Sequence, residues 1–319
     1  MFELSARIET LGRLRGCNLD AYDAVYVGDP TCPLVPENLS SSPEFLEEGV
    51  KILRDAGKRV YLSLYAEPRN EDLGWLGEVI DAAASLGIDA FEVHNLGTLR
   101  MINKKGLFLP MHVGPFANVY TSQTASLLAK WGVTRVAPNP ELSFSEIVAL
   151  REGSSVEVVL QAHGKLPLGI SETCFLLEYR EGECEDLCFE PCWLSSGRWK
   201  LKNIGRATLS GKDFCLLEYL GTFYWKGFRH FSIMTLREEP RYVERVGAIY
   251  REVLTRVAEG VDDYLRPQER EELSLLSPEG FCNGYLFRRA GHRYIGRFFG
   301  GEKITPLEVE GGVHRLGGK

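Results

Sequence analysis

The chain has 319 residues, 44% of them hydrophobic and 25% charged, which excludes the disordered and fibrous classes. Its 37 Lys and Arg against 44 Asp and Glu leave a net charge of −7. That is a poor start for a dedicated nucleic-acid binder, which displaces counterions with a positive surface. No run is long and apolar enough for a membrane span, and Met1–Ser5 lacks the basic start and apolar stretch of an export signal. The expectation is a soluble, cytoplasmic protein.

Short β-branched runs alternate with helical patterns along most of the chain. Strands are expected at Phe2–Ala6, Ala24–Gly28, Val60–Tyr65 and Ala90–His94, then at Leu107–His112, Arg135–Ala137, Val156–Gln161 and His230–Leu236. Between them, Pro43–Ala56 carries Phe45, Leu46, Gly49, Ile52 and Leu53 as one apolar stripe at helical spacing. Leu73, Leu76, Ile80 and Ala83 form a second stripe, and Leu127, Leu128 and Trp131 a third. After the eighth strand, Arg241–Val257 reads as an amphipathic helix with Val246, Ile249, Val253 and Val257 on one side. Repeated strand–helix alternation predicts parallel strands under covering helices. Eight such steps predict an α/β fold of (β/α)8 TIM-like barrel type, with room for imperfection; an open doubly wound sheet is the alternative.

The rhythm breaks from Lys165 to Ser210, after the seventh strand. The expected organisation is a barrel domain over 1–265, with a cysteine-rich insertion at 165–215, and a short Gly-rich β appendage over 266–319. Cys32 follows the second strand and Cys215 is expected near the start of the helix before the eighth. In a barrel both places, like the insertion, belong to the C-terminal face where such enzymes keep their sites.

Four of the eight cysteines fall in the insertion as Cys174-x9-Cys184-x3-Cys188-x3-Cys192. Thiolates are soft ligands that suit tetrahedral zinc or an iron–sulfur cluster. Structural zinc sites favour two close pairs, so one isolated and several closer cysteines fit a cluster drawn from separate segments better. Cys17 and Cys282 are expected to be structural. With spacings of four residues, Cys184, Cys188 and Cys192 would share one face of a helical turn and crowd one side of a cluster. A distant thiolate, Cys32 between Pro30 and Pro33, is therefore preferred to Cys184 and Cys215 as the fourth ligand.

Several phrases resemble peptidase family U32, the collagenase-like proteases, over nearly the whole chain. They are Tyr22-Asp23-Ala24-Val25-Tyr26-Val27-Gly28, His94-Asn95-Leu96-Gly97, Gly114-Pro115-Phe116-Ala117-Asn118 and Pro140-Glu141-Leu142-Ser143. His163-Gly164, Lys212-Asp213-Phe214-Cys215 and Gly280-Phe281-Cys282-Asn283-Gly284-Tyr285 continue the likeness. Within the family it is most similar to the UbiU/UbiV branch of oxygen-independent ubiquinone biosynthesis, on the UbiV side. That resemblance implies a 4Fe–4S cluster on Cys32, Cys174, Cys188 and Cys192. Cys215 matches a ligand of the UbiU-like type instead, and Cys184 has no clear counterpart. The family's Ile-Glu-Gly-Arg after the eighth strand stands here as Ile233-Met234-Thr235-Leu236-Arg237, and Asn95 stands where many members carry Asp.

The resemblance further implies hydroxylation without oxygen gas, of a ubiquinone precursor first and of a tRNA or rRNA base as the alternative, with prephenate as oxygen donor. It also implies a hetero-oligomer with a second, UbiU-like U32 protein, and a small-molecule substrate. Proteolysis is the weaker reading. The chain has no His-Glu-x-x-His or Gly-x-Ser-x-Gly motif, and only a cysteine paired with His163 would serve. Arg288, Arg289, Arg293 and Arg297 interleave with Tyr285, Phe287, Tyr294, Phe298 and Phe299, as an RNA surface would. Packing aromatics with solvated arginines is the preferred reading of that stripe. Among polar residues at strand ends (His94, Asn95, His112, Asn118, Glu141 and His163), His163 and Asn118 are the candidate catalytic residues.

Overall fold

The structure, a computed structural model, describes residues 1–179, 184, 189, 192–197, 199–296 and 302–303. It begins with β1 (Glu3–Ile8), α1 (Leu11–Gly16), β2 (Ala24–Val27), α2 (Pro43–Asp55), β3 (Arg59–Ser63), α3 (Leu73–Ser85), β4 (Ala90–Val93) and α4 (Leu96–Lys104). Next come β5 (Met111–Val113), α5 (Ser122–Ala129), β6 (Val133–Val136), α6 (Phe144–Glu152) and β7 (Glu157–Ile170). Every pair from β1 to β7 is parallel, and β11 (His230–Ile233) pairs in parallel with both β7 and β1. Eight parallel strands therefore close into a barrel with helices between them, a (β/α)8 TIM-like fold.

Strand alternation divides the residues between two environments. Leu4, Ala6, Ile8, Val25, Val27, Val60 and Leu62 belong to the large apolar core with the buried faces of the helices. The other parity supplies Glu3, Ser5, Arg7, Tyr26, Tyr61, Ser63, Glu92 and His112, all buried. All but Ser5 meet other polar side chains through the bonds described below, beside a small cluster of Ala24, Tyr26, Tyr61 and Ala90, so much of the inside of this barrel is polar. Aliphatic layers are the usual filling.

After its barrel segment, β7 continues outward. His163, Gly164 and Lys165 pair antiparallel with Cys215, Phe214 and Asp213 of β10 (Ala207–Cys215), and Ile170 pairs with Ala207. Gly164 marks the departure. It has φ of 96°, and a Cβ there would stand 2.5 Å from the Met234 carbonyl oxygen. The return path is α7 (Phe175–Tyr179), β8 (Cys192–Ser196) and β9 (Trp199–Ile204), with β8 and β9 forming an antiparallel hairpin beside β10. Then come α8 (Leu220–Trp225), β11, α9 (Pro240–Ala258), α10 (Pro267–Leu276) and β12 (Phe281–Cys282), which pairs with β10 as part of the same sheet.

The expected helix stripes hold over Leu46, Gly49 and Leu53, over Leu76, Ile80 and Ala83, and over Val246, Ile249, Val253 and Val257, all buried. Of the third stripe only Leu128 is buried, while Leu127 on α5 and Trp131 just beyond it are exposed. Cys215 ends β10 just before the turn into α8, near the start of that helix as expected, whereas the placement of Cys192 differs from expectation. Cys192 opens strand β8 opposite Asn203, so it is not itself part of the helical turn expected to carry it. Cys188 itself lies outside the described residues.

Candidate functional site

The loop after β2 carries Cys32, and its shape is fixed by side-chain bonds to the backbone. Asn38 accepts from the Asp29 and Ser40 amides and donates to the Cys32 carbonyl at 3.2 Å, while Asp29 accepts from both the amide and hydroxyl of Thr31. Arg237 comes from beyond β11, where φ is 56°, and donates to Asp29 at 2.5 Å from a site buried on both sides. Its guanidinium also lies 5.0 Å from the ring of Phe189.

The β9–β10 hairpin presses its tip against this loop. Gly205 and Arg206 form the two-residue connection, and Gly205 at the first central position has φ of 52°, as tight hairpins require. The Arg206 amide donates to the Thr31 carbonyl, and the Cys174 thiol donates to the Gly205 carbonyl at 3.6 Å. Cys32, Cys174 and Cys184 thus face one cavity of about 20 Å³, walled by Leu34, Leu176 and Leu177 with Arg206 at its side. Cys192 is near enough for Cys174 to add to the effect of burial in raising its thiol above the ordinary range.

All seven described cysteines are free thiols. Three soft donors on apolar walls, with no carboxylate lining the cavity among the described residues, match the chemistry of a thiolate-held metal group. Among the described residues, however, no group of three His, Cys, Asp or Glu stands at metal-binding spacing.

Inside the barrel, Arg7 makes a two-pronged ion pair with Glu92, each contact 2.7 Å. Ser63 donates to Glu92 at 2.6 Å, and His94 Nε2 lies 3.3 Å from the same carboxylate. Burial alone would raise the Glu92 carboxyl; Arg7, with help from His94, holds it well below the usual range. His94 packs against Gly114, where a Cβ would stand 2.0 Å from its Cε1. Nearer the opposite end, Glu3 bonds Arg135 at 2.7 Å and Tyr61 at 3.0 Å. Burial opposes its charge, but His230, Arg135 and Arg59 bring its carboxyl down to about 2. His112 bonds the Tyr26 hydroxyl, and burial pushes its imidazole down to about 3. A cavity of about 50 Å³ opens beside Arg7, Gln161, Ser232 and Met234, and reaches Asn139 and Asn283. It has room for a small group beside the Arg7 end of the barrel interior.

His163 does not face that cavity. It is fully buried among Tyr242, Tyr250 and Phe281, with Nδ1 3.2 Å from the Tyr250 hydroxyl, and burial lowers its imidazole to about 4. Cys215 is its register partner and shares the same hydroxyl at 3.7 Å. Burial raises that thiol to about 11. A cysteine and a histidine do meet here, but the thiol is sealed and protonated, which opposes a nucleophilic role.

Asn118 is exposed, with φ of 56°, and accepts from Asn139, which lines the cavity. Asn95 caps α4, and Glu141 accepts from Tyr120. The sequence reading missed Arg7, Glu92, Asp29 and Arg237. A signal for the first strand was present, because Glu3, Ser5, Arg7 and Glu9 alternate with Leu4, Ala6 and Ile8. That is a polar face on a strand that barrel closure turns inward.

A parallel barrel with thiols and buried ion pairs gathered around its mouth defines the general class. The model of peptidase family U32 matches residues 12–296, and the chain belongs to that family. An uncharacterized protease of Methanocaldococcus jannaschii is 32% identical over 287 residues, covering 83% of this chain and 68% of that one. The 23S rRNA 5-hydroxycytidine synthase of Escherichia coli is 24% identical over 254 residues, covering 78% of this chain and 38% of its own length. The tRNA hydroxylation protein P of the same organism is 27% identical over 193 residues, covering 58% and 43%. The chain therefore spans about two thirds of the first relative and under half of the other two. Among the described residues no helix is long and apolar enough to cross a membrane.

Proposed function

We propose that this chain takes part in hydroxylating a base of tRNA or rRNA. The observation that carries the reading is its similarity to two proteins named for RNA hydroxylation, across 58% and 78% of its length. The ubiquinone-precursor reading rests on the sequence resemblance alone and ranks second. Proteolysis by a cysteine and His163 is disfavoured, because the Cys215 thiol is raised to about 11 and is fully buried.

As part of the same reading, the thiols around the hairpin tip hold a 4Fe–4S cluster. Cys32 and Cys174 are supported by both the family likeness and a place on the cavity wall, and Cys192 by the likeness and its electrostatic reach to Cys174. The remaining one is Cys188 by resemblance or Cys184 by its place on the cavity wall. Such a cluster supplies one-electron chemistry or substrate activation. Around it, Arg206 offsets negative charge, the apolar walls keep water away, and Asn38 and Asp29 hold the Cys32 loop in shape. Prephenate as oxygen donor and a second U32 protein as partner belong to this proposal as well.

The test is nucleoside mass spectrometry of RNA from cells with and without the chain. A pyrimidine nucleoside heavier by one oxygen, present only with the chain, is expected. Identical nucleoside profiles would remove the RNA reading and promote quinone-precursor hydroxylation.

A further inference from the structure

Beyond the barrel mouth, the outer half of β7, the β8–β9 hairpin, β10 and the segment after β12 enclose a groove of about 830 Å³. Its walls carry two large aromatic faces open to solvent, Trp199 at 55% and Tyr285 at 44% exposure, with Leu168 at 46%. Lys200 and Lys212 lie on the same walls, and His292 and Lys212 continue into an adjoining hollow with Arg293. Two carboxylates also face the groove, but Glu279 is paired with Lys200 at 2.6 Å and Glu141 accepts from Tyr120. Outside the Lys200–Glu279 pair, Lys212 and Arg293 stand against Glu141, a local excess of one positive charge among the described residues of a chain whose net charge is −7.

We propose that this groove docks an unpaired RNA segment, with bases stacked on Trp199 and Tyr285 and phosphates met by Lys212, His292 and Arg293. The inference rests on the RNA reading above and names how RNA would be held. Exposed aromatic planes between cations suit single strands, because every base offers a face to stack on. A duplex hides those faces and offers mainly phosphates, for which an acidic chain is poorly equipped. The groove is also connected to the candidate cysteine site. Trp199 opens β9, and Gly205 follows its last residue at the hairpin tip beside Cys32 and Cys174, roughly 20 Å away at the rise of an extended strand. RNA in the groove would therefore be held at its flanking nucleotides, one strand length from those thiols.

The test is fluorescence anisotropy of the full chain with a fluorescein-labelled single-stranded oligouridylate, with an oligouridylate–oligoadenylate duplex as competitor. The single strand should bind and the duplex should compete poorly. Trp199→Ala and Tyr285→Ala should each weaken binding at least about fivefold, and Trp199→Phe should restore most of it. Lys212→Ala should make the slope of log affinity against log salt shallower by about 0.7. Thermal melts of each variant separate lost binding from lost folding. No binding, equal binding of duplex, or folded Ala variants that bind as wild type would overturn the groove. So would a homodimer on size exclusion that Trp199→Ala dissolves, since the groove would then hold a second copy. Hydroxylated RNA formed normally by non-docking variants would sink the groove and leave the function standing. Oligouridylate bound in the groove with no hydroxylated nucleoside in cells would do the opposite.

Discussion

A Cβ on Gly205 would stand 3.0 Å from the Cβ of Cys32 and 2.9 Å from the Thr31 hydroxyl oxygen. The β9–β10 hairpin reaches the loop after β2 because Gly205, the tip residue that meets Thr31 and Cys32, has no side chain. Cys32 and Cys174, far apart in sequence, share a cavity as a result.

Gly205→Ala should therefore separate the two thiols. The residue's φ of 52° alone costs an L-amino acid about 1–2 kcal/mol, and the contacts with Thr31 and Cys32 add to that. The expected outcome is a lower urea midpoint and reduced iron and sulfide content after anaerobic purification. Full iron retention with an unchanged midpoint would show that the hairpin tip does not organise the cysteines.

The Arg7–Glu92 pair gives a second expectation. Glu92→Gln leaves the Arg7 guanidinium buried without its countercharge, a change that costs about 3–5 kcal/mol in comparable sites. Gly114→Ala attacks the same network by pushing His94 away from Glu92 and Ser63. Both variants should unfold at lower denaturant, and the double variant should lose less than the sum of the two, because they share one network. Strict additivity would mean that His94 and Glu92 are not coupled.

The barrel was legible because its strands and helices carry strong local patterns, and eight alternations leave few topologies. What lines its interior was harder to read. Arg7 and Glu92 lie in the middle of strands, and sequence alone gives no reason to pair two residues that are brought together only by closure. The same limit affects the cysteines. Cys32 and Cys174 were legible as neighbours from barrel topology. The strand conformation of Cys192 was not, since residues 165–210 show no clear period and β8 is specified by its pairing with β9. His163 illustrates another limit: a strand-end histidine looks functional until β10, β12 and α9 are seen to cover it.

Stability should depend on pH through the sealed histidines. In the folded chain His163 and His112 gain protons only near pH 4 and 3, whereas the ordinary value is 6.5. As pH falls below 6.5 the unfolded chain takes up protons that the folded chain refuses, so stability declines through that window. Glu9 acts in the opposite direction. Burial raises its carboxyl to about 7, so it contributes stability as pH falls from 7 toward 4.5. Glu3, lowered to about 2, loses its contribution only below 4.5. The two histidines should outweigh Glu9, with His163 alone accounting for about 3 kcal/mol by pH 4. Urea unfolding at stepped pH should show His163→Gln with a flatter decline between pH 6.5 and 4. A slope identical to wild type would mean that His163 does not titrate as its surroundings dictate.

The remaining expectation concerns which thiols hold the proposed cluster. Cys32 and Cys174 face one cavity beside the hairpin tip, and Cys192 lies within electrostatic reach of Cys174. Cys215 belongs elsewhere. It is fully buried, shares the Tyr250 hydroxyl with His163, and is kept protonated by its burial. A buried thiol that stays protonated in an apolar layer is a poor ligand, because metals bind the thiolate. Anaerobic purification of single variants, read by iron, acid-labile sulfide and absorbance, should separate the groups. Cys32→Ala, Cys174→Ala and Cys192→Ala should each lose most of their iron, whereas Cys215→Ala should keep it and only lose stability. Cys184→Ala and Cys188→Ala decide the remaining position. Cys184 shares the cavity with Cys32 and Cys174, so iron loss in Cys184→Ala alone would put the ligand where the cavity has it. Loss in Cys188→Ala alone would restore the ligand set implied by family likeness. Loss in Cys215→Ala with retention in Cys32→Ala would move the cluster to the other side of β10 and end the assignment to the hairpin tip.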